Sequence, residues 1–256
     1  MSHLTPEQRE HYRVNGWLLC NDVLPISVGE LQAEVERVAS LTDSEILHHH
    51  EMTDFGAKLA RTENFVPFSP VLNHLLQSSK VAEIAGELLG EEAYLYKEKV
   101  NYKLVGGAGF RPHQDKPAYP FVDQVLSVMI AVDDSTIENG CLDVVSARHQ
   151  VQLDQDERGC LTTKDVEAMD WQPMPLRAGQ TLFFHALTPH RSGSNNSTRD
   201  RRALYPTYNG ANEGRLREKY YEAKIKAFES PSDFDGVRLS LIGDFEGKPV
   251  DRKSVV

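Results

Sequence analysis

The sequence predicts a mainly β protein with flanking helices, whose core is an antiparallel sandwich or jelly roll of short strands. Two observations predict it. From Ala93 onward, short runs rich in β-branched and aromatic residues (AYLYKEKVNYKLV, VLSVMIAVDD, CLDVV, QTLFF and RRALYPTYN) follow one another between turn formers. Strands without intervening helices pair antiparallel rather than in a parallel sheet. Before Ala93, and again from about Asn212, apolar residues recur at helical spacing. The expected organisation is a single domain over 1–256, with a helical part over about 1–92, a β core over about 93–210, and a C-terminal helix and tail over about 211–256.

In chain order, Thr5 followed by Pro6 is a helix start, and the first amphipathic segment runs to about Gly16. Ser27 opens a second helix, in which Leu31, Val35 and Val38 share a face. The polar stretch from Leu41 to Pro70, with its run His48, His49 and His50, reads as a long loop of little regular structure. The three histidines read as solvated, because consecutive side chains on a loop cannot converge on one ion. A helix over about Lys80 to Leu89 stops at Gly90. Along the strand Tyr96 to Lys103, alternation sends Lys97, Lys99, Asn101 and Lys103 to one face and Tyr96, Val100 and Tyr102 to the other, with Glu98 anomalous on the apolar side. The last helix covers about Asn212 to Phe228 with Leu216, Tyr220, Ala223 and Ala227 on one face, and Ser230 to Val256 is a polar tail.

Composition narrows the function. Lys plus Arg number 28 against 38 Asp plus Glu, a net charge of −10, without the dense basic runs that phosphate backbones require, so nucleic acid is not an expected partner. The hydrophobic share of 40% and charged share of 26% are those of an ordinary globular chain. Cys20, Cys141 and Cys160 are odd in number and lack metal-site spacing, which suits a reducing compartment. The polar start MSHLTPEQREHYRVNG is not a signal peptide, and no apolar run approaches the roughly 18 residues of a membrane span, so no membrane partner and a cytoplasmic location are expected.

Chemistry concentrates in two places. In RPHQDKPAY, His113 and Asp115 stand one residue apart, and on a strand such a pair shares a face. In FFHALTPHRSGSNNSTRDRRALYPTYN, His190 supplies a third ligand, with Ser192 two residues on and Arg201 eleven residues on. A set of two histidines and one carboxylate leaves three open positions on an octahedral ion, the arrangement of non-haem Fe(II) oxygenases. Arg201 offers a planar charged fork and Ser192 a hydroxyl, suited to the far end of a dicarboxylate. His185 competes for the distal ligand position but has Asn196, not arginine, eleven residues on. His149 reads as a turn residue, Cys141 as core, Trp17 and Trp171 as packing residues. Arg61, Asn64 and Phe65 precede the β core, where a substrate cover is as well supported as a bland loop.

With those spacings, and with the phrases ENGCLDVVSARHQ and YKEKVNYKL, the chain resembles the phytanoyl-CoA dioxygenase family of Fe(II)/2-oxoglutarate-dependent oxygenases, and within it the 2-aminoethylphosphonate hydroxylase subgroup. The resemblance covers about Ala93 to Asn209. It implies a double-stranded β-helix core, with His113, Asp115 and His190 as catalytic iron ligands. It further implies that Arg201 and Ser192 hold the distal carboxylate of 2-oxoglutarate and that Asn101 contacts this cosubstrate near the metal. Dioxygen is the other cosubstrate, and succinate and carbon dioxide leave. Ser146, Ala147 and Arg148 depart from the family's common proline-glycine turn.

The expected activity is hydroxylation of a C–H bond in a small anionic molecule such as 2-aminoethylphosphonate. Lys97, Lys99, Lys116 and Tyr119 are the candidate substrate contacts, the first two because cations lining a pocket imply an anion. An amino-acid derivative or natural product remains open as substrate. So do a non-catalytic cupin-like binding protein, for which the Arg201 and Ser192 pair would have no evident use, and a zinc hydrolase, which lacks a nearby general base. Oligomeric state is not legible.

Overall fold

The structure is a computed structural model and describes residues 2–53, 56–119, 121–229 and 249–250. Helix α1 (Pro6–Asn15) begins with a reciprocal cap: the Thr5 side chain accepts from the Gln8 N–H while the Gln8 side chain accepts from the Thr5 N–H, and Gly16 ends it at φ 80°. Strand β1 (Trp17–Cys20) follows, then α2 (Val28–Ala39), capped in the same way by Ser27 and Glu30 and burying Leu31, Val35 and Val38.

The next segment corrects the expectation of a long loop. Strands β2 (Leu47–Thr53) and β3 (Gly56–Glu63) form an antiparallel hairpin, and β3 joins the main sheet. Its polar residues disguise it, because here the inner face of the sheet is charged rather than apolar. His48 bridges Thr62 Oγ1 at 3.0 Å and the Leu41 carbonyl at 2.8 Å, so the histidine run lies on a strand rather than a solvated loop. Helix α3 (Pro70–Gln77), capped by Ser69 with Leu72, Leu75 and Leu76 buried, was not anticipated. Helix α4 (Lys80–Leu89) ends at Gly90 as expected.

The core strands are β4 (Ala93–Lys103), β5 (Phe110–His113), β6 (Val125–Ala131) and β7 (Leu142–Val144), then, after helix α5 (Thr163–Glu167), β8 (Gln172–Met174), β9 (Thr181–His185), β10 (His190–Ser192) and β11 (Arg201–Gly210). Helix α6 (Arg217–Glu229) and strand β12 (Pro249–Val250) complete the described chain. The expected helix over about Asn212 to Phe228 therefore starts later, and most of the expected polar tail lies outside the described residues. No described helix is long and apolar enough to cross a membrane.

Two antiparallel sheets make the jelly roll, ordered β1-β9-β6-β11-β4-β3-β2-β12 and β5-β10-β7-β8. The outer face of the large sheet, with Val128, Ile130, Phe183 and Leu204, packs on the apolar faces of α2, α3 and α4. Its inner face meets the small sheet through Met129, Ala131, Leu182, Phe184 and Ala203 against Leu142, Val144 and Met174. Moving across that inner face from β9 toward β3, apolar residues give way to Arg201, Lys103, Asn101, Lys99, Arg61 and Glu63, as the register of neighbouring strands shows.

Strand β4 does not alternate strictly. A register shift opposite Thr207 and Tyr208 places Tyr96 against Tyr119 and Tyr220, at 5.6 and 5.0 Å between ring centres, while Lys97 Nζ lies 4.5 Å from the same Tyr119 ring. The bulge thus brings Tyr96 to the side that Lys97 occupies. The anomalous Glu98 is explained by its partners: Arg217 of α6 donates to both carboxylate oxygens, at 2.5 and 2.9 Å, and the Val66 N–H adds a third bond at 3.0 Å.

Candidate active site

Strands β5 and β10 lie side by side with His113 opposite His190, which sets the two imidazole rings 4.2 Å apart between centres. Asp115 reaches them by a route different from the expected strand alternation. Strand β5 ends at His113, and Asp115 takes helical dihedrals at the head of a 3-10 turn, Lys116–Ala118, its N–H bonded to the Ala186 carbonyl. One Asp115 oxygen, Oδ1, then lies 3.8 Å from His113 Nε2 and 3.7 Å from His190 Nε2. All three residues are buried, with ligand atoms within 4.8 Å of one another.

Each ligand is oriented by a neighbour. His113 Nδ1 lies 2.6 Å from the Arg111 carbonyl and His190 Nδ1 lies 3.0 Å from the Thr188 carbonyl. A carbonyl can only accept, so both Nδ1 atoms carry the proton and both Nε2 lone pairs face inward. The Ser127 hydroxyl donates to Asp115 Oδ2 at 2.5 Å, leaving Oδ1 for the centre. Burial pushes the His113 imidazole down to about 3, helped by His190 beside it. Burial alone would raise the Asp115 carboxyl, but the two histidines, Lys99 and Ser127 outweigh it and hold it at about 2. A neutral imidazole and an ionised carboxylate converging on one point are what a divalent ion requires. The donor set fits a single ion with an open face.

Arg201, two residues along β11 from Ala203, is 2% exposed, donates through Nη2 to the Gly140 carbonyl at 2.7 Å, and has no hydrogen-bond partner at Nε among the described residues. Ser192 Oγ accepts from Lys103 Nζ at 2.9 Å and from the Phe110 N–H at 3.3 Å, which leaves its own proton to donate. Lys103 faces Arg201 across the β4–β11 ladder and also donates to the Gly193 carbonyl at 2.5 Å. Burial and then Arg201 push its amine down to about 7. Lys103 spends all three of its donors on Ser192, Gly193 and Gly140, so the spare donors that fit the far carboxylate of a dicarboxylate are those of Arg201 and the Ser192 hydroxyl. Lys103 shares the face of Asn101 in the sequence, yet nothing in its spacing singled it out. Gly140, at φ +73°, closes this corner, and a Cβ there would stand 2.2 Å from the Gly193 carbonyl oxygen.

A small cavity, with about 40 Å³ open to a water-sized sphere, opens on the triad, lined by Lys99, Asn101, Phe184, Tyr205 and Thr207 of the large sheet, by Phe110 and Leu142 of the small one, and by Tyr119. Of the expected substrate contacts, Lys99 and Tyr119 thus line it. Lys97 is buried just beyond, its Nζ over the Tyr119 ring and without a hydrogen-bond partner among the described residues. Lys116 instead reaches Asp123, 3.8 Å away, and is not among the lining residues. Asn101 lines the cavity and accepts from Arg61 Nε at 3.1 Å. His185 stacks on His149 at 5.4 Å, and its Nδ1 accepts from the Leu187 N–H, which keeps it out of the metal set. Asn64 and Phe65 serve the fold, the first bonded to Arg217 and the second fully buried.

A jelly roll with an inward His-Asp-His facial set and a cationic pocket beyond it defines a mononuclear metal-dependent dioxygenase. The chain belongs to the phytanoyl-CoA dioxygenase (PhyH) family, whose model matches residues 12–203. It is 38% identical over 97% of its length to a methylphosphonate hydroxylase of Gimesia maris, covering 98% of that protein. It is 32% identical over 89% of its length to a 2-aminoethylphosphonate dioxygenase of an uncultured bacterium, covering 90% of it. Among solved structures, EctD from S. alaskensis with 2-oxoglutarate and 5-hydroxyectoine has a TM-score of 0.70 at 20% identity, over 82% of this chain and 77% of that one. The double-stranded β-helix and the Fe(II)/2-oxoglutarate-dependent dioxygenase expected from the sequence both stand.

Proposed function

We propose that the protein hydroxylates a C–H bond of a small organophosphonate. The observation that carries this reading is an excess of buried and half-buried basic side chains beside the triad. Lys97, Lys99, Arg61 and Lys224 gather at one end of the inner face, and Glu63, fully buried and held well below the usual carboxylate range by Lys224 and its neighbours despite burial, balances one of them. Burial and then Lys99 drive the Lys97 amine well below its ordinary value, and burial and then Arg61 hold Lys99 at about 8. Such a cluster is costly until an anion arrives, and a phosphonate dianion neutralises more of it than a carboxylate does. The two phosphonate-acting relatives support the same choice.

Iron, 2-oxoglutarate and dioxygen bound at the triad supply an oxidant for an unactivated C–H bond, with succinate and carbon dioxide as by-products. The protein's part is placement. His113, Asp115 and His190 would hold the ion, fixed by Arg111, Ser127 and Thr188. Arg201 and Ser192 would hold the far carboxylate of 2-oxoglutarate, with Lys103 fixing the Ser192 hydroxyl. Phe110, Leu142 and Phe184 keep water from the reacting carbon, and Lys99 with its cationic neighbours fixes the phosphonate so that this carbon faces the metal. The test is succinate release against a panel of small phosphonates, sulfonates and carboxylates, with the product followed by phosphorus NMR. Phosphonate-stimulated succinate matched by a hydroxylated phosphonate is the expected result. Stimulation by a carboxylate or an amino acid alone would overturn the assignment.

A further inference from the structure

Arg61 sits on β3 opposite Asn101 on β4, so both side chains leave the same face of the sheet. Its Nε donates to Asn101 Oδ1, its Nη1 lies 3.5 Å from Glu63 Oε1, and its side chain is 18% exposed. No hydrogen bond of Nη2 is found among the described residues. A guanidinium carries five donors in a planar fork, so most of Arg61's capacity is unspent, one residue behind the cavity wall that Asn101 forms. Arg61 takes Asn101 Oδ1, and no hydrogen bond of Asn101 Nδ2 is found among the described residues, so the amide keeps donors free at the cavity it lines. Lys99 lines the same cavity and stands opposite Glu63 in the register. Behind them, Lys224 of α6 donates to Glu63 Oε2 at 2.5 Å, with both side chains almost completely buried. Glu51 also acts on Arg61, but burial lifts its carboxyl to about 7, so it is a weak counter-ion.

We propose that Arg61 receives the anionic head group of the substrate, with Asn101 and Lys99 as fellow donors, and that the buried Glu63–Lys224 pair is the positioning device that aims its guanidinium. This rests on the reading of an anionic substrate given above. It draws α6, which lies beyond the matched family residues 12–203, into the support of the substrate site.

The test is calorimetric titration of methylphosphonate into anaerobic protein loaded with Fe(II) and 2-oxoglutarate. Loss of a charge-assisted fork predicts that Arg61→Ala weakens phosphonate binding about 30-fold or more, while 2-oxoglutarate affinity stays within about twofold. Arg61→Lys recovers only part of the loss, because a point charge lacks the fork. Breaking the buried pair from one side risks misfolding, so the positioning role is tested with Glu63→Gln and Lys224→Met together, in a variant first shown to melt cooperatively. That double variant weakens phosphonate binding in the parent but adds nothing once Arg61 is alanine. Equal losses in both backgrounds would overturn the positioning role, and wild-type affinity in Arg61→Ala would overturn the receptor. A sulfonate or carboxylate bound through Arg61 in place of any phosphonate would keep the receptor and remove the phosphonate reading. Failure of the wild type to bind any of these anions would remove both.

Discussion

At the scale of single residues, the site divides between atoms that a metal needs and atoms that anions need. His113 and His190 present Nε2 because backbone carbonyls claim Nδ1, and Asp115 presents Oδ1 because Ser127 claims Oδ2. In the proposed assignment Arg201 holds 2-oxoglutarate rather than the metal, so Arg201→Ala should raise the 2-oxoglutarate concentration for half-maximal turnover by about 100-fold, given the strength of buried charge-assisted pairs. Metal content measured on the same variant should stay at the wild-type level. These residues were legible because H-x-D, H-x-S and the arginine eleven residues on are a fixed phrase in the chain. Lys103 and Ser127 were not, since a lysine or serine on a strand has no signature apart from what the fold brings to it. Lys99 yields a pH prediction. Its pKa near 8 lies below the roughly 10.4 of an unfolded lysine, so the native state binds fewer protons and the ligand-free protein gains stability as pH rises through that window. Phosphonate affinity should fall over the same rise, as the ammonium is lost. Melting curves and calorimetry across pH 7–10 check both signs, and Lys99→Met should flatten each dependence.

At the scale of elements, the helices were the easier part to read. Thr5, Ser27 and Gly90 mark ends that the structure reproduces, because caps depend on neighbours in sequence. The β2–β3 hairpin was hidden because its inner face is polar, a condition under which alternating hydrophobicity fails as a strand signal. The bulge at Tyr96 was hidden for a related reason: it is imposed by the longer course of β4 opposite Thr207 and Tyr208. The turn after β7 gives an element-scale prediction. Ala147 lies at φ 58°, a left-handed conformation that costs an L side chain about 1 kcal/mol or more. Ala147→Gly should therefore raise stability by about 1 kcal/mol in denaturant unfolding, with turnover unchanged. A loss of stability would mean that the turn is not strained.

At the scale of the whole molecule, a chain of net charge −10 buries Lys97, Lys103, Arg201 and Lys224 around one site. The large sheet is apolar where it meets the small one and rich in basic side chains where β4, β3 and α6 converge, so a single face carries both an apolar wall and a cationic end. Composition could report only the sum, and the sum has the opposite sign to the site. The triad joins the two regions, and every assignment above depends on it holding one ion. The most direct measurement is an anaerobic titration of Fe(II) into the metal-free protein with 2-oxoglutarate present, followed by visible absorption. A weak charge-transfer band that saturates at one iron per chain, and that disappears in His190→Ala, is the expected result. Absence of the band in folded wild-type protein, or its persistence in His190→Ala, would contradict the site.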